Sequence, residues 1–444
     1  MSSDPLELVP GVRRLRPDDH FMILSETDAS PMHVGALLML EVAPAERTGL
    51  AAAFRRQLAA RLSATPLLAR LVEAPGGYDS DVWAEIAGAD LDAHVVEEEA
   101  EDLHAAVAHL NMQRLDLSRP PFMAHVFAEA GAIYLKMHHS VADGLGFQEV
   151  LRRLSDDAPP RPPRERDAEV PSPEKWRALA ERRFASEEPT RAKQSAERKA
   201  ALAALEAFKG ERAETPMLKL SGPTAMRRAY ATLSLSVERF KAAANRLDAT
   251  VNDLFLACAG EALRAYLLSI GDLPDAPLVV NSARSYRRPE HGSFGNRIVA
   301  LHPHLATHIV EPIERLRAIQ ASMAAEMRRT RYDEALLDAL EKPYGARDRR
   351  AAFAERLAAG ARVLPGNLTL SNVPGPPGER TYMGYRQLHN CPVPIIGSGR
   401  FLNVTSRRSG DNLDMGVIAD AEKIPDAEPI ARGFAAAFAI YEGI

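Results

Sequence analysis

Residues 133–144 read Ile133-Tyr134-Leu135-Lys136-Met137-His138-His139-Ser140-Val141-Ala142-Asp143-Gly144. Apolar and polar side chains alternate through the first seven, the period of a strand with one face on a core. Ile133, Leu135, Met137 and His139 fall on one face, and Tyr134, Lys136 and His138 on the other. Adjacent histidines on a strand therefore point apart and do not converge as ligands of one metal must. This favours one histidine acting alone, His139 on the apolar side where a greasy substrate would pass, and a structural job for His138. Asp143 follows four residues after His139, where its carboxylate can accept a hydrogen bond or pair with an arginine and so brace the turn. Gly144 permits a backbone angle, or a close approach, that a Cβ would forbid. Residues 145–154 read as a short helix, so a plainer picture also fits: a satisfied core histidine pair ahead of a helix-capping aspartate.

Working outward, residues 31–42 read as a buried strand that ends before Pro44. Leu50, Phe54, Leu58 and Leu62 recur at helical spacing within residues 47–63. A second helix near residues 101–114 is followed by Pro120-Pro121 and a strand over 122–127. Beyond the motif, residues 158–173 carry six prolines among charges, the composition of a solvated, semi-extended linker. Residues 174–210 are rich in Ala, Glu, Lys and Arg, as suits long exposed helices.

The second half opens with a strand at 228–235 and a helix that Ser236 can cap. Thr250 with Asp253 predicts a capping box and a helix ending near Gly271. Strands at 278–281 and 297–303, a helix over 311–330, strands at 366–371, 399–405 and 413–418, and a helix from about Ala427 follow. The expected organisation is an α/β half over residues 1–155, a Pro-rich and helical crossover over 156–215, and a second α/β half over 216–444.

Among 444 residues the formal net charge is -5, which gives no basic footprint for nucleic acid. The two cysteines, Cys258 and Cys391, lack CxxC partners, so a structural zinc site is not expected and two buried thiols in a reducing cytosol are. Residues 1–16 have no apolar signal core, and the most apolar stretch, 34–42, is about half the length a membrane-spanning helix needs. The expected location is the cytoplasm, with at most peripheral contact with membranes or lipid droplets.

The motif at residues 138–144 resembles the HHxxxDG signature of chloramphenicol-acetyltransferase-like enzymes. Among these, bacterial wax ester synthase/diacylglycerol acyltransferases fit over nearly the whole chain. Arg13-Arg14-Leu15-Arg16-Pro17-Asp18-Asp19 with Pro31-Met32-His33-Val34-Gly35 resembles the start of that family. Thr250-Val251-Asn252-Asp253 resembles its ND motif, and Leu370-Ser371-Asn372-Val373-Pro374-Gly375-Pro376 its SNVPGP motif. The chain departs from the family at Pro120-Pro121-Phe122, where PLW is usual, and at Val280-Asn281-Ser282-Ala283-Arg284, where PVSxR is usual. Both departures bear on substrate identity more than on reaction type.

The resemblance implies two chloramphenicol-acetyltransferase-like domains, each a mixed sheet flanked by helices, with a tunnel at their interface. It implies an acyl-CoA co-substrate, no permanently bound cofactor, and a long-chain alcohol or diacylglycerol as acceptor. His139 would be the general base, and no G-x-S-x-G elbow suggests a nucleophile instead. Asp143 would support the site by pairing with Arg284 across the halves, alongside His138 and Gly144. Asn252, in the first turn of its helix, is a candidate donor to the oxyanion, and Asp253 beside it is read as a cap. Ser371 and Asn372 would line the tunnel. His33 is read as buried scaffold, and Arg284, Arg287, Arg288 and Arg297 as a cluster able to attract CoA phosphates. Two alternatives stand beside this reading: a same-fold acyltransferase using a carrier-protein thioester or a specialised-metabolite acceptor, and a lipid-binding protein without turnover.

Overall fold

The segment 133–138 folds as its alternation dictates, inside the strand Ala132–His138. Ile133, Leu135 and Met137 enter the core of the first half. Tyr134, Lys136 and His138 face the helix Leu103–Asn111 and the residues after it: the Lys136 ammonium donates to the carbonyls of Leu110 and Gln113, and the Asn111 amide to the Tyr134 hydroxyl. The polar face is as buried as the apolar one. Burial pushes the Lys136 ammonium down to about 7, and two helix-end carbonyls satisfy it where solvent does not reach.

The computed structural model of the chain describes residues 6–206, 213–340, 366–375, 378–397 and 399–444. Two six-stranded sheets organise it. The first runs, in spatial order, Thr381–Tyr382, Tyr385–Val393, His33–Leu40, Ala132–His138, Phe122–Phe127 and Val95–Glu97. The second runs Ile298–Leu301, Val280–Ser285, Leu368–Val373, Leu402–Ser409, Asn412–Asp420 and Arg228–Ser236. Both mix parallel and antiparallel pairs. A four-stranded sheet (Glu7–Val9, Val12–Arg14, Val82–Glu85, Ala69–Val72) adjoins the first half. The α/β architecture thus stands as the sequence predicts.

The hairpin of Thr381–Tyr382 and Tyr385–Val393 breaks the expected division. Tyr385–Val393 belongs by sequence to the half at 216–444, yet pairs antiparallel with His33–Leu40 in the other sheet. It then packs against the second sheet through Gly416, where a Cβ would overlap the Pro392 carbonyl. The buried Asp414 carboxylate accepts from the Asn390 amide and pairs with His389, and Arg407 donates to the Asn390 side chain. Tyr230, Cys391, Val393 and Ile418 join Leu37 and Tyr134 in a core that spans both sheets.

The expected linker is also more firmly held than its composition suggests. Residues 159–167 are exposed, but the helix Pro173–Glu206 starts against the four-stranded sheet, with Trp176 buried beside Val12 and Val82. The buried Asp79 carboxylate collects Arg14, Trp176 and Arg183 there. In the second half the capping box at Thr250 and Asp253 starts the helix Val251–Ser269, and Ser236 caps Val237–Arg246. These local signals fix helix starts because each side chain satisfies an orphan amide.

Candidate active site

The strand ends at His138, and the next five residues form a turn held from three directions. The His139 amide donates to the Met32 carbonyl at 2.8 Å. Its own carbonyl accepts from the Asn296 side chain at 2.7 Å. The two histidines then differ sharply. His138 is fully buried; its Nδ1 accepts from the Ser140 amide at 3.2 Å and contacts the Ser140 hydroxyl at 2.6 Å, and its Nε2 faces Glu26 at 3.7 Å. Burial, with the charge of Arg114 and the neighbouring His139, pushes His138 down to about 3. His139 keeps partial exposure. Desolvation lowers its proton affinity, with Asp143, its own backbone, Asn296 and Asp19 acting in the other direction. Both imidazoles are neutral at physiological pH.

Asp143 performs both jobs that its position allows. Oδ1 accepts the Gly146 amide at 2.9 Å and caps the helix Gly144–Leu154. Oδ2 accepts from Arg287 Nη2 at 2.7 Å and from the Arg297 amide at 3.0 Å, both in the second half. The expected pairing with Arg284 is therefore corrected: the partner is Arg287. Val280–Ser285 extends further than its sequence predicts, and Arg284 sits within it opposite Val299, with Nη1 at 3.3 Å from the Thr330 hydroxyl. Past the strand end Arg287 folds back over the loop 292–295, donates to the carbonyls of Gly292, Phe294 and Gly295, and reaches Asp143.

The same geometry reshapes the expected CoA-phosphate cluster. Arg287 and Arg297 lie against the motif, and burial lowers Arg297 to about 10; of the four, Arg288 alone is exposed. Gly144 serves by close approach, since a Cβ there would lie 3.1 Å from Val373 of the second half. Gly146 is tighter still: a Cβ would meet Ala142 at 2.6 Å and the Ser293 carbonyl at 2.9 Å. His33 is buried scaffold, bonded to the Asn111 carbonyl.

Val373 also borders a cavity of about 280 Å³, walled by Val237, Phe240, Val251 and Asn372, with Lys241 and Arg408 at its edge. Asn372 accepts from the Ser406 hydroxyl at 3.1 Å. Ser371 shares its strand face with Val373, and Asn252 follows Val251 at the second position of its helix; both are half-buried. No hydrogen bond joins Asn252, Ser371 or Asn372 to His139 among the described residues. Also among these, no three His, Cys, Asp or Glu side chains gather as metal ligands would, and no helix is long and apolar enough to cross a membrane.

The sequence reading missed the segment that closes the site. Gly295 bridges Ala142, and Asn296 is fully buried. Asn296 binds Asp19 through its backbone amide and its side chain, while Arg16 donates to its carbonyl. These partners lie far apart in the chain, and no local pattern marks Asn296.

Two mixed sheets with an HHxxxDG turn at their seam, matched by acyltransferase family models, define the chain as an acyltransferase. The wax ester synthase/diacylglycerol acyltransferase catalytic domain matches residues 15–255, and the WS/DGAT C-terminal domain matches 294–442. A Mycobacterium bovis protein provisionally named a diacylglycerol O-acyltransferase is 31% identical over 451 residues, covering 92% of this chain and 86% of its own length. A similarly named Mycobacterium tuberculosis protein is 28% identical over 440 residues, covering 93% and 94%. The wax ester synthase/diacylglycerol acyltransferase of Marinobacter aquaeolei VT8 has the same fold, with a TM-score of 0.67 at 23% identity, covering 97% of this chain and all of the other. The first condensation domain of the calcium-dependent antibiotic synthetase superposes with a TM-score of 0.57 at 16% identity, over 97% and 95%. The chain belongs to the wax ester synthase/diacylglycerol acyltransferase family and is an acyl-CoA-dependent acyltransferase.

Proposed function

We propose that the protein transfers a fatty acyl group from CoA to the hydroxyl of a long-chain alcohol or a diacylglycerol, with His139 as general base. The observation that carries this is the contrast between the two histidines: His138 is sealed, whereas His139 is neutral, partly open and held by its backbone at the seam of the two sheets. A neutral imidazole there takes the hydroxyl proton of the acceptor. The alcohol oxygen forms a bond to the thioester carbonyl carbon, giving a tetrahedral oxyanion. The carbon–sulfur bond then breaks, and the imidazolium returns the proton to the CoA thiolate. No acyl-enzyme is needed.

Asn252 is assigned to the oxyanion, as a donor at the start of its helix. Ser371 and Asn372 are assigned to the acyl path, a reading supported by the cavity that Asn372 and Val373 border. His138, Asp143 and Gly144 brace the turn. Because such acceptors partition into lipid, the enzyme meets them at a membrane or droplet surface from the cytoplasm.

Purified protein with palmitoyl-CoA and either hexadecanol or diolein tests this. Ester and free CoA are expected together, and His139→Ala removes both. Equal turnover in that variant sinks the general-base role. Tight lipid binding with no ester from any acyl-CoA and alcohol pair sinks the enzymatic reading of the site.

A further inference from the structure

The loop that closes the turn carries one residue whose chemistry the acyl transfer has not yet used. Both N–H bonds of the Asn296 carboxamide are taken: Nδ2 donates to the His139 carbonyl at 2.7 Å and to Asp19 Oδ1 at 2.8 Å. Both partners are acceptors, so only the nitrogen can face them, and the orientation of the amide is fixed by its neighbours. Oδ1 must then point elsewhere. It is buried with no hydrogen-bond partner. One other buried polar atom without a partner belongs to the residue Asn296 already holds, His139 Nδ1.

We propose that Asn296 is the positioning residue of His139: its amide nitrogen clamps the His139 carbonyl, and its Oδ1 accepts the proton of His139 Nδ1, which leaves Nε2 as the basic atom. This inference rests on His139 being the general base. A buried polar atom left unpaired is costly, and these two atoms are matched as donor and acceptor on residues already joined by a hydrogen bond. Such contacts at a catalytic base are commonly loose in the free enzyme and tighten when substrate binds. A base oriented by a third group through its far nitrogen is a general solution for fixing tautomer and aim. Asn296 is itself immobilised: its backbone amide binds Asp19 Oδ1 at 2.7 Å, and Arg16 holds its carbonyl. The Asn296 side chain is among the groups that favour protonation of His139 against burial.

The charged and titratable groups around His139 are Asp143 on its own turn, Asp19 on the helix Pro17–Leu24, and His138 before it. Arg287 and the Arg297 amide lie behind Asp143, and Arg16 lies behind Asn296. None of these side chains bonds Nδ1, and the backbone of His139 itself favours the protonated ring alongside Asn296.

The test is the pH dependence of kcat/KM with palmitoyl-CoA and hexadecanol in Asn296→Ala and Asn296→Asp. Asn296 raises the proton affinity of His139, so its loss in Asn296→Ala lowers the pKa and moves the acidic limb of the profile to lower pH. Asn296→Asp sets a carboxylate against Nδ1–H and moves the same limb to higher pH. The expected displacements are about half a unit or more, in opposite directions. In Asn296→Ala kcat falls on the order of 10–100-fold while KM changes little. A residue that merely supports the fold moves neither limb, and unmoved limbs in folded variants overturn the proposal. Should both variants fail to fold, the tautomer of His139 is read in the wild-type protein by ¹⁵N NMR of labelled histidines, with His139→Gln giving the assignment. The Nδ1–H form is expected, and the Nε2–H form overturns the proposal. Turnover surviving in His139→Ala breaks the general-base reading alone, since the tautomer is read without reference to activity.

Discussion

The turn at residues 138–144 and the cavity wall at residues 372–375 face each other across the seam, and they are built on opposite plans. The turn is densely bonded: backbone, carboxylate and loop contacts from the N-terminal helix and the second half all converge on it. The wall is mostly apolar side chains, with the Ser406–Asn372 hydrogen bond as its polar tie. The turn fixes the aim of one imidazole, which chemistry needs to a fraction of an ångström. The wall answers to shape alone, where each methylene changes selectivity by a modest factor. On the proposed function, reaction type is set rigidly on one side and substrate range loosely on the other.

The sharpest way to break this comparison is His139→Ala, which is expected to cut kcat on the order of 10²–10⁴-fold with little change in KM, measured by CoA release. Second is the bridge across the seam. Arg287→Met leaves the Asp143 carboxylate buried without its arginine, and is expected to cost about 3 kcal/mol or more in chemical denaturation. Arg284→Met is expected to cost under about 1 kcal/mol, and equal losses would return Arg284 to the bridging role. Third is pH. Burial lowers His139 below its ordinary 6.5, and the base works only when neutral, so kcat/KM holds through neutrality and falls as pH drops through that lowered value. The expected slope is about tenfold per unit, and a limb beginning above neutrality would assign the proton to another group. The smallest effect belongs to the wall. Val373→Ala is expected to shift the preference between long and short acyl-CoA by about tenfold or less, without moving the pH limb.

Where structure is local, the chain announces it. The strand at Phe122–Phe127 begins right after Pro120-Pro121, and Ser236, Thr250 and Asp143 cap the helices that follow them. A capping side chain acts within three residues, so its sequence signal is nearly its structure. Tyr385–Val393 shows the opposite case. Its partner His33–Leu40 lies some 350 residues earlier, and with Pro392 inside and no clean alternation it carries little strand signal. The site divides in the same way. The motif singled out His139 and Asp143, and the strand period separated the faces of its histidines. Choosing Arg287 over Arg284 required knowing where a strand ends, the least legible feature of a sequence. Asn296 was invisible because its worth lies in three segments that meet only after folding.

The strand Tyr385–Val393 also dictates a timetable. Until it arrives, His33–Leu40 is the edge of its sheet, a row of unpaired amides and carbonyls open to any passing strand. Domains fold from the N-terminus as they leave the ribosome. Here the first sheet waits, with its HHxxxDG turn already synthesised, for a strand about 240 residues further along the chain. A product truncated before residue 385 would carry every residue of the HHxxxDG motif and still present a sticky, unfinished edge. Its fate would be aggregation, whatever its active-site residues.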